Sequence, residues 1–290
     1  MEKIGDDHSV SSEPGKSRGF SFSWLTRHRW NVLDMINVVG RGSVPTYLFY
    51  DVDMTWAETL RARLCALGHK TTVTAILLKA IGVAQRSHPL SRTALLPGGR
   101  TAMLHKIIAG FTVERFVDNQ PAVYFGAIEQ PDSKPVTEIA SELRSYSDDE
   151  IGSVPQLDIQ HRFNHMPWLF RRFMLFLGIC FPAVRLRYMG ATFGLSSLGK
   201  FGCRVVVPPC VSTSTFGVGT VEPRPVAVNG RVEIRPIMSL VLNFDHRVID
   251  GAPAARFMQE VVRLIQGGLE EYISEELEKL SRGQLAPATA

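Results

Sequence analysis

The chain has 290 residues, 45% of them hydrophobic and 21% charged, a balance that supports a sizeable buried core and excludes a wholly disordered protein. Its formal charge of +4, with no block of Lys and Arg interleaved with aromatics, excludes a nucleic-acid footprint and leaves only weak steering of anionic ligands. Cys65, Cys180, Cys203 and Cys210 form no C-x-x-C pair, which excludes a cysteine zinc site; they are expected as free thiols in a reducing, cytoplasmic compartment, three of them in core-like apolar surroundings.

Residues 1–20 are polar and lack the apolar stretch of a secretory signal, so a disordered tail is expected there. Residues 46–53, TYLFYDVD, predict a strand. Residues 55–67 predict a helix, with Thr55 as N-cap, Glu58 completing a capping box, and Gly68 as its end. A second helix over 72–86 is apolar almost all round and hence buried. His88-Pro89 breaks it, and Pro97-Gly98-Gly99 marks a turn. Strands are expected over 106–113 and 122–128, joined by a polar turn at 117–120, and an amphipathic helix over 136–146.

Residues 167–189, PWLFRRFMLFLGICFPAVRLRYM, carry an uninterrupted apolar core at 173–184, bracketed by Arg171, Arg172, Arg185 and Arg187. That core is too short to cross a bilayer, which takes roughly 20 apolar residues. It reads either as a buried helix or oligomer contact, or as a hydrophobic channel or membrane-surface patch, which would make the protein peripherally membrane-associated. Short strands broken by Gly and Pro follow over 191–221. Gly217-Val218-Gly219 is no dinucleotide turn, because Glu222 stands where a third glycine would be needed. Residues 231–244 give the cleanest strand, with Leu240, Leu242 and Phe244 on one face and Ser239, Val241 and Asn243 on the other. A helix over 253–266 puts Phe257, Val261, Leu264 and Ile265 on one stripe, and 282–290 read as a flexible tail. Strands and helices in mixed order predict an α/β two-layer sandwich, with residues 21–281 as one domain carrying an apolar insertion at 160–189.

Chemistry concentrates at Asp245-His246-Arg247-Val248-Ile249-Asp250-Gly251, just past the cleanest strand. A histidine in such a strand-end turn can reach a substrate and accept a proton at neutral pH. On this short motif alone a capping or core histidine is the commoner case, and Asp250 is well placed to N-cap the helix that follows. The pair His161 and His165 falls on one helical face, but Arg162 replaces the glutamate of H-E-x-x-H and no third ligand is apparent, so no metal is expected. Gly194 to Gly199 reads G-x-S-x-x-G, one residue too long for a hydrolase nucleophile elbow.

Three segments together resemble one family. Residues 231–266, RVEIRPIMSLVLNFDHRVIDGAPAARFMQEVVRLIQ, are similar to the end of the catalytic domain of dihydrolipoamide acyltransferases (E2) of 2-oxoacid dehydrogenase complexes, itself similar to chloramphenicol acetyltransferase. Residues 190–199, GATFGLSSLG, resemble the family's strand leading into Ser-x-Leu-Gly, and residues 44–54, VPTYLFYDVDM, its first core strand. The resemblance implies a chloramphenicol acetyltransferase-like sandwich, a mixed sheet covered by helices. It implies acyl transfer between a thioester and a thiol or hydroxyl acceptor, with coenzyme A or acyl-CoA as substrate. His246 would be the general base, Ser196 or its neighbour Ser197 the oxyanion donor, and Asp250 the residue that holds the site together, supported by Arg29 and Gly251. It also implies a homotrimer with active sites between subunits. Against the family pattern, there is no room before residue 45 for lipoyl or subunit-binding domains, so no covalent lipoyl group is expected. Residues 119–126, NQPAVYFG, replace the family's Gly-Leu-x-x-Pro-Val. These departures point to an acceptor other than lipoamide; the competing reading is a catalytically idle E2-like scaffold.

Overall fold

A computed structural model describes residues 22, 24–117, 119–188 and 190–282. The expected tail at 1–20, and all but the first residue of that at 282–290, lie outside the described residues. Six strands form the main sheet: β1 (Pro45–Asp53), β4 (Ile108–Val117), β5 (Gln120–Glu129), β6 (Phe193–Ser197), β7 (Ser214–Val228) and β8 (Arg231–Asp245). Their spatial order is β1-β8-β7-β6-β4-β5. β6 runs parallel to both β4 and β7, and the other pairings are antiparallel, so the sheet is mixed. β2 (Thr93–Leu95) and β3 (Thr101–Met103) make a separate small ribbon.

Alternation divides the sheet into two unlike faces. Phe193, Leu195, Phe216, Val218, Leu240, Leu242 and Phe244 join the hydrophobic core with α2 (Thr55–Ala66), α3 (Val73–Ser87), α4 (Val136–Asp148), α8 (Gly251–Arg263) and α9 (Glu270–Ser281). Among the described residues no helical layer covers Tyr47 and Phe49 on the opposite face, where both are exposed, while the extended segment 203–213 lies against β7. That segment explains two glycines. A Cβ on Gly217 would sit 1.9 Å from the Val206 carbonyl oxygen, and one on Gly219 equally close to that of Arg204. This is the two-layer α/β sandwich expected from the sequence.

Most predicted elements form with shifted ends. The capping box does not: Thr55 donates both its N–H and its hydroxyl to the Asp53 carboxylate, so Asp53 closes the start of α2, and Glu58 pairs with Arg61 instead. The β4–β5 turn is tighter than expected, since Val117 and Gln120 already pair across the ladder. α9 has no counterpart in the sequence reading, although Ile273, Leu277 and Leu280 make a buried stripe at helical spacing. Nor has α1 (Arg27–Asp34), capped by the Thr26 hydroxyl accepting from the Arg29 N–H.

The cysteines differ from expectation as well. Cys65 is exposed, Cys180 and Cys203 are half-buried, and only Cys210 is buried. Burial, followed by the Asp245 charge, pushes the Cys210 thiol up to about 11. At pH 8 only about one part in a thousand is then thiolate, so iodoacetamide should label Cys65 long before Cys210 in the folded protein. Mass spectrometry of labelled peptides checks this order.

The apolar insertion corrects the reading of a buried helix. It comprises the latter part of α5 (Pro155–Asn164), then α6 (Trp168–Cys180) and α7 (Pro182–Tyr188). α5 closes the free edge of β5, where the Phe125 N–H donates to the Gln160 side chain. α6 packs against the wide helical turn Met35–Val39 and contributes nothing to the main core. Its buried stripe is Arg171, Leu175 and Gly178. The phenylalanines point outward.

Candidate active site

β8 ends at Asp245, and the chain turns through 246–250 before α8 begins at Gly251. The turn is held by its first residue. The Asp245 carboxylate accepts from the Val44 N–H, the Arg247 N–H and the Arg247 guanidinium, at 2.6–3.2 Å. The Asp245 carbonyl accepts from the N–H groups of Val248 and Ile249. Ile249 then drops its side chain into the core, pinning the turn from below. The His246 N–H donates to the Val44 carbonyl at 2.9 Å, which ties the histidine to the start of β1. His246 is thus positioned by backbone, with its side chain 44% exposed and its ring 5.8 Å from that of Phe244.

Burial alone would raise the Asp245 carboxyl, but hydrogen bonds from Arg247 and from the Val44 N–H outweigh it and hold it below the usual carboxylate range. A depressed folded pKa stabilises the fold fully above the unfolded value, about 3.9, and the benefit disappears as pH falls through the lower folded value. Asp245→Asn should therefore be less stable than the parent at neutral pH, and the two should converge in acid. Urea denaturation at a series of pH values measures that convergence.

Asp250 occupies the N-cap position of α8, but its side chain makes no capping bond. It stands 85% exposed, with one oxygen 3.7 Å from His246 Nδ1. That separation is too long for a hydrogen bond. Arg29 lies exposed on α1, and no ion pair joins it to Asp250 among the described residues. A Cβ on Gly251 would meet nothing within 4 Å, so no steric need for glycine arises inside one subunit. The clamp that does hold the loop, Asp245 with Arg247, went unassigned in the sequence reading. Its signal was an acid and a base two residues apart at a strand end.

Ser196 lies on the face away from the helices, with Gly194, whereas Ser197 falls on the side of Phe193 and Leu195. β6 is anchored at its start by Thr192, whose hydroxyl accepts from the Ile108 N–H and donates to Gln85 Oε1. Ser196 faces Gly217 on β7, and Gly217 faces Val241 on β8, five residues before His246. Two strand spacings and five residue rises put Ser196 and His246 about 19 Å apart within one chain. The structure brings His246 and Asp250 together and leaves Ser196 remote.

His161 and His165 do share a helical face, with ring centroids 4.7 Å apart. His28 joins them, and the Tyr124 hydroxyl bridges His28 and His161. No cluster of three or more side chains suited to a metal ion occurs among the described residues.

Residues 186–272 match the family model described as the catalytic domain of 2-oxoacid dehydrogenase acyltransferases. This part of the chain is similar to that acyltransferase catalytic domain. The span covers β6, β7, β8 and α8, and thus Ser196, His246 and Asp250. A dihydrolipoyllysine-residue succinyltransferase component of the mitochondrial 2-oxoglutarate dehydrogenase complex of Sus scrofa is 38% identical over 81 residues, 27% of this chain and 17% of that protein. The Pseudomonas aeruginosa counterpart is 41% identical over 81 residues, again 27% of this chain and 19% of that protein. The match thus spans less than a fifth of either curated relative's length.

The fold likeness reaches further. A structure of Azotobacter vinelandii dihydrolipoamide acetyltransferase, studied for the roles of a serine, a histidine and an asparagine in its mechanism, superposes with a TM-score of 0.67 at 22% identity, covering 91% of this chain and all of that one. A probable dihydrolipoamide acetyltransferase from Listeria monocytogenes 4b F2365 gives 0.65 at 18% identity, covering 86% of this chain and 96% of the other. The acyltransferase family's signature thus sits on a chain that shares the fold of E2 catalytic cores almost throughout.

Proposed function

We propose that the chain is a CoA-dependent acyltransferase whose active site forms between subunits, with His246 as general base. The observation that carries this reading is His246 itself: half exposed at a strand end, fixed by the clamped turn, with a carboxylate beside Nδ1 and Nε2 left for substrate. In the Azotobacter enzyme the studied histidine and asparagine also stand four positions apart, and the serine stands about fifty positions ahead of the histidine, as Ser196 does here. Asp250 takes the place of that asparagine.

A thiol such as that of CoA has a pKa near 8.5 and is mostly protonated at neutral pH. His246 Nε2 removes the S–H proton as the sulfur attacks the acyl carbonyl carbon of a thioester. The carbonyl π electrons move onto oxygen, and the oxyanion takes a hydrogen bond from the Ser196 hydroxyl. Collapse of the intermediate re-forms the carbonyl and expels the first thiolate, which recovers the proton from His246.

A single chain cannot perform this with both groups, because Ser196 lies far from His246. The face that bears Ser196 also exposes Tyr47, Phe49, Val205 and Val207, an apolar surface suited to burial against a second copy. We therefore assign a cyclic homotrimer in which His246 of one chain meets Ser196 of the next. Ser196→Ala alone should lower acyl transfer by about 10²–10³-fold. Chains carrying His246→Ala and chains carrying Ser196→Ala, unfolded together and reassembled, should recover about a quarter of parental activity, because random cyclic mixing creates an intact pair at one junction in four. Recovery of none would place both groups in one chain and reject the shared site. Dihydrolipoamide and hydroxyl acceptors assayed beside CoA identify the second substrate.

A further inference from the structure

α6 is amphipathic in the inverted sense. Arg171 and Gly178 face inward, while Trp168, Leu169, Phe170, Phe173 and Phe176, followed by Phe181, face out, each about half exposed or more. The helix cannot roll these side chains inward. The Arg171 guanidinium is buried and donates through Nε and Nη2 to Asp34 at 3.2 and 2.9 Å, and through Nη1 to the Asn164 carbonyl. Rotation would leave two unpaired charges in the interior. The apolar stripe is therefore held outward by a buried ion pair, and an outward stripe of this size calls for an external partner.

The charge around the stripe indicates which partner. On α5 and α6, Arg162 and Arg172 keep guanidinium-bearing side chains 75% and 39% exposed, against Asp158 at 29% and the buried Asp34. No Asp or Glu occurs from residue 159 to residue 221. Arg172 lies 5.1 Å from the Trp168 ring centroid, so the helix begins with an aromatic and a cation side by side. Two copies of this surface face to face would oppose arginine to arginine. An anionic phospholipid surface offers both complements, hydrocarbon for the phenylalanines and headgroup phosphates for the exposed guanidinium groups of Arg162 and Arg172. At 13 residues α6 is about 20 Å long, and no described helix is long and apolar enough to cross a membrane.

We propose that α6 is an interfacial anchor that lies in the headgroup layer of an anionic membrane. None of Leu169, Phe173 and Phe176 belongs to the catalytic site, so the proposal stands or falls independently of the catalytic reading. The test floats the full chain with vesicles of phosphatidylcholine alone and of phosphatidylcholine containing phosphatidylglycerol. The parent should float with the anionic vesicles, less so as salt rises, and the triple variant Leu169→Gln, Phe173→Gln, Phe176→Gln should bind about tenfold more weakly or worse. Helical circular dichroism and acyl-transfer activity of that variant should match the parent. Equal flotation of parent and variant, or no flotation of the parent, overturns the proposal. So does a variant whose only change is a smaller assembly by light scattering without lipid, which would make the stripe a contact between copies, for example against the glutamates of α9. Because the parent's salt dependence needs no mutation, a misfolded variant does not remove the test.

Discussion

Replacing His246 by alanine should lower thiol-dependent acyl transfer by about 10²–10⁴-fold, the usual contribution of a positioned general base. The loss should fall on kcat rather than on KM, since proton removal occurs only in the transition state. The fold should survive. His246 is tied in through its backbone N–H to the Val44 carbonyl, a bond that alanine also makes, and its ring is half exposed. The expected pattern is therefore an inactive variant with unchanged denaturation and assembly, measured by release of free thiol from acyl-CoA beside a urea titration. A fully active variant would exclude this histidine as the base. An inactive parent that binds no CoA would favour the idle scaffold.

The second large effect lies far from the chemistry. Arg171→Ala should destabilise the fold by about 3–5 kcal/mol, because it strips the buried Asp34 carboxylate of the guanidinium that donates twice to its Oδ2. Asp34 and Arg171 side chains are only 1% and 4% exposed, so water cannot take the missing place. Arg172 also reaches Asp34, at 3.1 Å, but from a side chain that is 39% exposed. Arg172→Ala should cost no more than about 1 kcal/mol, since solvent already screens that pair. Urea denaturation of the two variants side by side measures the contrast; equal losses would mean that the buried pair is not what fixes α6.

Much of the fold was legible because local rules and global burial agreed. The alternation of β8 follows from strand geometry, and its Leu240, Leu242 and Phe244 meet the stripe of α8 that carries Phe257 and Val261. α3 was legible as a buried helix because both its spacing and its composition demand a dry environment. α9 escaped notice because its many glutamates mask a three-residue apolar stripe, and α1 because its buried residues are polar, Asn31 and Asp34. The outward α6 was not readable at all. Its orientation depends on Asp34, 137 residues earlier in the chain, and hydrophobic periodicity alone would turn the phenylalanines inward.

The active-site motif shows the same division. The sequence by itself determined that His246 would stand at a strand end before a helix, since that follows from β-alternation, turn residues and an apolar stripe within some thirty positions. It also placed Asp250 one helical turn away, where the structure finds it beside Nδ1. Only the tertiary structure decided what surrounds them. It made Asp245 and Arg247 the clamp, left Arg29 on a distant helix, put Ser196 and Ser197 on opposite faces of β6, and separated Ser196 from His246 within one subunit. The reason is physical. A local motif sets backbone direction over a few residues, whereas the distance between two side chains depends on strand order and register, which contacts remote in the chain determine.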